Sequence, residues 1–131
     1  MPRRALAAVL LLLALPASAA DPRADYLMHC SGCHMPDGSG HTPVVPTLHG
    51  VTGRMAATAA GRDYLIRVPG VAQAPVGDAT LAAILNWMLS EFSSDTLPEN
   101  FEPFSADEVG ASRSTLLPDP LRLRAKLFPD Y

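Results

Sequence analysis

Cys30-Ser31-Gly32-Cys33-His34 is where the chemistry of this chain is densest. Two thiols three positions apart can add across the two vinyl groups of a porphyrin, because a single turn of backbone carries both to the ring edge. The imidazole that follows is then brought under the ring, where its Nε2 can ligate iron. The spacing is that of c-type haem attachment. Cys30 and Cys33 are the expected thioether positions, His34 the expected proximal iron ligand, and one covalent haem c the expected cofactor. A redox dithiol would need a strand before the motif and a βαβ pattern around it. The residues just before Cys30 read instead as a helix. A zinc site would need a second pair of ligands, and the chain holds only two cysteines.

The chain around the motif has to reach the right compartment and then wrap a disc. Arg3 and Arg4 precede an apolar run over residues 5–15, and Pro16-Ala17-Ser18-Ala19-Ala20 supplies small residues for cleavage. Residues 1–20 therefore read as a secretory signal peptide. The run falls short of the ~20 residues of a membrane span, so stable insertion after cleavage is not expected. Signal and motif agree, since c-type haem is attached outside the bacterial cytoplasm, and the expected location is the periplasm of a Gram-negative bacterium. Without the two leader arginines, 8 basic residues face 13 acidic ones, a net charge of −5. That argues against nucleic acid and for a redox protein partner with a basic docking patch. Roughly 110 residues remain, one domain with a core that a buried porphyrin would extend.

Asp21-Pro22 has the form of an N-cap and first helical residue, opening a helix that runs into the motif and carries Tyr26 four places before Cys30. Residues 35–46 are rich in Gly, Pro, Asp and Ser and read as a loop around His41. In Pro46-Thr47-Leu48-His49-Gly50-Val51-Thr52-Gly53-Arg54, a proline carbonyl could accept the Nδ1 proton of His34 and fix its tautomer. Residues 55–60 suggest a short helix stopped at Gly61, and periodicity leaves residues 63–68 undecided between helix and extended chain. Residues 69–77 form a loop bounded by turn residues. Asp78 to Phe92 reads as the strongest helix, capped by Asp78 or Thr80. Beyond it, Ser105-Ala106-Asp107-Glu108 has the capping-box pattern, and Asp119-Pro120 opens another helix bearing Leu121, Leu123 and Leu127.

The order Cys-x-x-Cys-His, glycine loop, Pro-x-Leu-His-Gly-x-x-Gly-Arg resembles class I cytochromes c, including the mitochondrial type. The resemblance covers about residues 21–92 and implies an all-α fold of three to five helices around one covalently bound haem. It also implies that Pro46 backs His34, that His49 and Arg54 are structural or propionate-side groups, that residues 63–68 are helical, and that Trp87 of the last helix packs on Tyr26. Residues 93–131 are an extension, expected to pack on the domain with help from Phe101 and Phe104.

The family usually takes its distal ligand from a methionine in the loop before the last helix, and residues 69–77 hold none. Val71 and Gln73 stand where it would be expected. The remaining choices are Met55 as sixth ligand, Met88, His41 or His49, a weak ligand such as Gln73, or an open site. The leading reading is a carrier of single electrons between redox proteins, such as a periplasmic dehydrogenase and another cytochrome, with no catalytic residues. An open distal site would instead suit a peroxidase-like or small-ligand-binding protein. The extension would suit a haem subunit of a dehydrogenase complex.

Overall fold

The structure, a computed structural model, describes residues 20–130. All but the last residue of the expected signal peptide lies outside them. Among the described residues there are eight helical segments and no strand, apart from one isolated antiparallel bridge between His41 and Val45. Helix α1 (Pro22–His29) starts as its sequence dictates: the Asp21 carboxylate accepts from Arg23 N–H at 3.0 Å, and Pro22 takes the first turn. Cys30 ends α1 and begins the single turn α2 (Ser31–His34).

Helix α6 (Asp78–Phe92) has the bounds its periodicity indicates. Its inward face carries Leu81, Ile84, Leu85, Met88 and Leu89, none more than 7% exposed. The helix lies against α1, and the contact is aromatic. Tyr26 is fully buried, with ring centroids 5.2 Å from Trp87 and 5.4 Å from Phe92. Such tilted pairs add ~0.5–1.5 kcal/mol beyond their buried area. The Tyr26 hydroxyl donates to the Met35 carbonyl at 2.7 Å, so the buried group is satisfied and α1 is tied to the exit of the motif. Burial pushes the Tyr26 pKa up to about 12, with the charges of Cys30 and Asp37 adding to the effect.

Between these helices the sequence reading needs correction. Helix α3 (Val51–Ala56) starts well before Met55, and α4 (Ala59–Arg67) runs through Gly61 instead of stopping there. Thr58 caps α4 by accepting from Gly61 N–H at 3.0 Å. Gly61 is small because a Cβ there would collide with the Met55 carbonyl, where α3 and α4 come closest. Residues 63–67 are thus helical, and residues 69–77 include the single turn α5 (Pro69–Ala72). Gly77, with no side-chain cap, occupies the N-cap of α6, because the Asp78 carboxylate is engaged by Arg113 at 3.1 Å.

The extension folds into α7 (Ala106–Arg113) and α8 (Pro120–Leu127). Helix α7 lies on α4 and α6, and α8 lies on α4. Ser105 caps α7, but its Ser-x-x-Glu box is only half made. Glu108 turns away and takes both Nε and Nη2 of Arg62, at 2.7 and 2.6 Å. The same guanidinium sits 4.0 Å from the ring centroid of Phe104, a cation–π contact. Arg67 donates to the Thr115 and Leu116 carbonyls and to Asp63.

Asp63 also accepts from Ser112, joining α4 to α7. Burial raises its pKa, but the hydrogen bonds from Ser112 and Arg67 and the Arg67 charge outweigh that and hold it below the usual carboxylate range. A depressed folded-state pKa stabilises fully above the unfolded value of ~3.9 and is lost as pH falls through the folded one. The stability difference between wild type and Asp63→Asn, measured by denaturant midpoint, should therefore be constant at neutral pH and shrink below about pH 4. Because the Asp63 side chain is 45% exposed, the effect should stay within the ~0.2–1 kcal/mol of solvent-open pairs.

Candidate haem site

A cavity of about 280 Å³ runs through the centre of the molecule, and Cys30, Cys33 and His34 all stand in its wall. Leu48, Leu65, Leu81, Ile84 and Leu85 make most of the remainder apolar. The two cysteines are not joined to each other. Cys30 is half-buried, which pushes its pKa up, and Cys33 sits at the exposed rim.

His34 is held by its back. Its Nδ1 lies 3.2 Å from the Pro46 carbonyl oxygen, to which the Nδ1–H donates, and Nε2 is left for a ligand bond. Burial lowers the pKa of the ring, partly offset by that backbone hydrogen bond, so the neutral, ligating form is favoured. The loop that carries Pro46 is braced on two glycines. Gly40 N–H donates to the His34 carbonyl at 3.0 Å, and Leu48 N–H donates to the Gly38 carbonyl at 2.8 Å. Gly40 has φ +69°, and a Cβ there would fall on the Pro46 carbonyl oxygen itself. Left-handed backbone costs a non-glycine residue ~1–2 kcal/mol, and displacing a packed carbonyl adds to it. Gly40→Ala should lower stability by roughly 2–4 kcal/mol, and a shifted reduction potential in the surviving holoprotein would show that the His34 support has moved.

Met55 and Met88 both line the cavity. His41, His49 and Gln73 do not. His41 is exposed and pairs through its backbone with Val45. His49 is also exposed; its Nε2–H donates to the Asp37 carbonyl at 2.6 Å and its ring packs on Phe92, a structural role. Arg54 is exposed. The turn of α5 carries Val71 inward and leaves Gln73 facing solvent, so Gln73 is not placed to ligate iron.

Sequence reasoning missed a whole wall. Pro120, Leu121 and Arg124 of α8 line the cavity, with Arg124 close enough to Tyr64 to oppose the upward shift that burial imposes on the tyrosine. The alternation of leucine and basic residues along α8 does not encode which cavity the helix closes.

These residues fit a haem. Two thiols and an imidazole with a free Nε2 share one wall of an apolar cavity, the donor set and surroundings that a porphyrin iron takes. Left without a guest, the cavity would present the apolar faces of Leu48, Leu65 and Leu85 to solvent.

No family model matches the chain. It is similar to two proteins named cytochrome c-552 from Thermus thermophilus. One is 32% identical over 133 aligned residues, covering 88% of this chain and 89% of that protein. The other is 30% identical over 106 residues, covering 67% of this chain and 81% of that protein. The 12% of this chain outside the first match is too short to contain residues 93–131, so the likeness runs into the extension as well. Helices without strands among the described residues, a Cys-x-x-Cys-His turn on an apolar cavity, and these relatives agree. The chain belongs to the cytochrome c family.

Proposed function

We propose that this protein is an exported, periplasmic carrier of single electrons, binding one haem c through Cys30 and Cys33 with His34 as its proximal ligand. The observation that carries the reading is the His34–Pro46 pair at the wall of an apolar cavity that both thiols also reach. Bound there, haem would supply a one-electron iron couple. The chain's own residues position it and tune it. Pro46 orients the imidazole and raises its basicity as a ligand. The apolar lining excludes water and disfavours the more highly charged oxidised state. Exposed Val44 and Leu121 border the cavity mouth, where a redox partner would approach. No helix among the described residues is long and apolar enough to cross a membrane. The acidic balance supports a partner with a basic docking face, such as a periplasmic dehydrogenase or another cytochrome.

Potentiometric titration of the purified holoprotein tests this. A reversible one-electron wave, with rapid electron exchange that slows as salt is added, is the expected result. Irreversible behaviour, or exchange indifferent to ionic strength, would count against a carrier docking through charge.

A further inference from the structure

His34 and the loop of residues 68–77 reach the same cavity on different supports. His34 rests on the shelf that ends at Pro46 and Leu48. The loop leaves the end of α4 and is held from outside by the extension. Arg113 of α7, its side chain 15% exposed, donates to the Ala72 carbonyl at 3.0 and 2.8 Å, to Ala74 at 2.8 Å, to Val76 at 2.9 Å and to Asp78 at 3.1 Å. A planar guanidinium directing its donors to three alternate loop carbonyls and a carboxylate fixes that backbone tightly. What the loop presents to the cavity is Val68, Gly70, Val71 and Ala74. None of these carries a sulfur, an imidazole or a hydrogen-bonding side chain.

The two cavity methionines stand on the walls that support His34. Met88 is on α6, which packs against α1, the helix that runs into Cys30. Met55 follows directly from the shelf, one turn after Thr52, whose hydroxyl donates to the Leu48 carbonyl. Both are packed in the core, 2% and 7% exposed for Met55 and Met88.

We propose that the wall of Val68, Val71 and Ala74, held in place by Arg113, borders an open coordination position on the iron and makes this cytochrome a binder of small neutral diatomic ligands, of the carbon monoxide and nitric oxide class. The apolar wall admits such molecules. It offers no donor to a ligand that develops negative charge, so it neither stabilises bound oxygen nor assists peroxide cleavage. The inference rests on the haem reading above and goes beyond it, since electron transfer alone does not require access to the iron.

The test is addition of carbon monoxide to the reduced holoprotein at neutral pH, followed at the Soret band, in wild type, Met55→Leu, Met88→Leu and Val71→Met. The reduced-minus-oxidised spectrum of each sample first establishes that haem is held. Wild type should bind completely and rapidly, both leucine variants should match it, and Val71→Met, which places a thioether on the loop, should bind about tenfold more slowly or not at all. Wild type that holds haem but leaves the Soret band unchanged overturns the inference while the haem reading stands. So does binding that appears only in Met55→Leu or Met88→Leu, or an unchanged rate in Val71→Met. A colourless wild type overturns both.

Discussion

Replacing Cys30 and Cys33 together by alanine should yield a chain with no covalent haem and little cooperative structure. Two losses combine. The thioethers no longer hold the porphyrin against dilution, and a cavity of about 280 Å³ among Leu48, Leu65, Ile84 and Leu85 is left to solvent or collapse. The second loss exposes apolar surface that a covalently held porphyrin would otherwise cover, in a domain whose total stability is only ~5–15 kcal/mol. Circular dichroism through a thermal ramp checks it: a broad, weak transition or none is expected, and a sharp wild-type-like melt in a colourless protein would show that the core closes without the cofactor.

Arg113→Ala should be the most destabilising single change in the extension, by about 3–5 kcal/mol. The guanidinium is the partner of the Ala72, Ala74 and Val76 carbonyls and of the Asp78 carboxylate at the start of α6. Removing it strands these acceptors at once, and each poorly solvated orphan costs ~1–3 kcal/mol. Arg113→Lys should recover only a small part, because an ammonium cannot address three carbonyls in a plane. Denaturant unfolding of the holoprotein gives the number. A loss below about 1 kcal/mol would mean that the loop keeps its shape unaided.

The parts of this molecule that were legible in the sequence are those written locally or with a period. The attachment motif, the Asp21 and Asp119 caps and the bounds of α6 all follow from residues within one or two turns of each other. The Tyr26–Trp87 stack and the Pro46 hydrogen bond to His34 lie far apart in sequence, and the family resemblance, rather than any periodicity, made them visible. What escaped notice depends on unpatterned tertiary contact. Gly61 looked like a helix stop but is a close approach of α4 to the Met55 carbonyl. Glu108 looked like half of a capping box but is the partner of Arg62, 46 residues away. Arg113 reaches 41 residues back to Ala72, and α8 closes a cavity whose other walls are all earlier in the chain. Nothing in the spacing of a solitary arginine says which carbonyls it will meet.

The central claim is that Cys30 and Cys33 carry one covalent haem beneath which His34 stands. The intact mass of the purified protein, taken before and after treatment with a thiol-alkylating reagent, tests it most directly. A chain beginning after Ala19 or Ala20, heavier by one haem and with no site left to alkylate, is the expected result. A colourless chain that takes up two alkyl groups would contradict it.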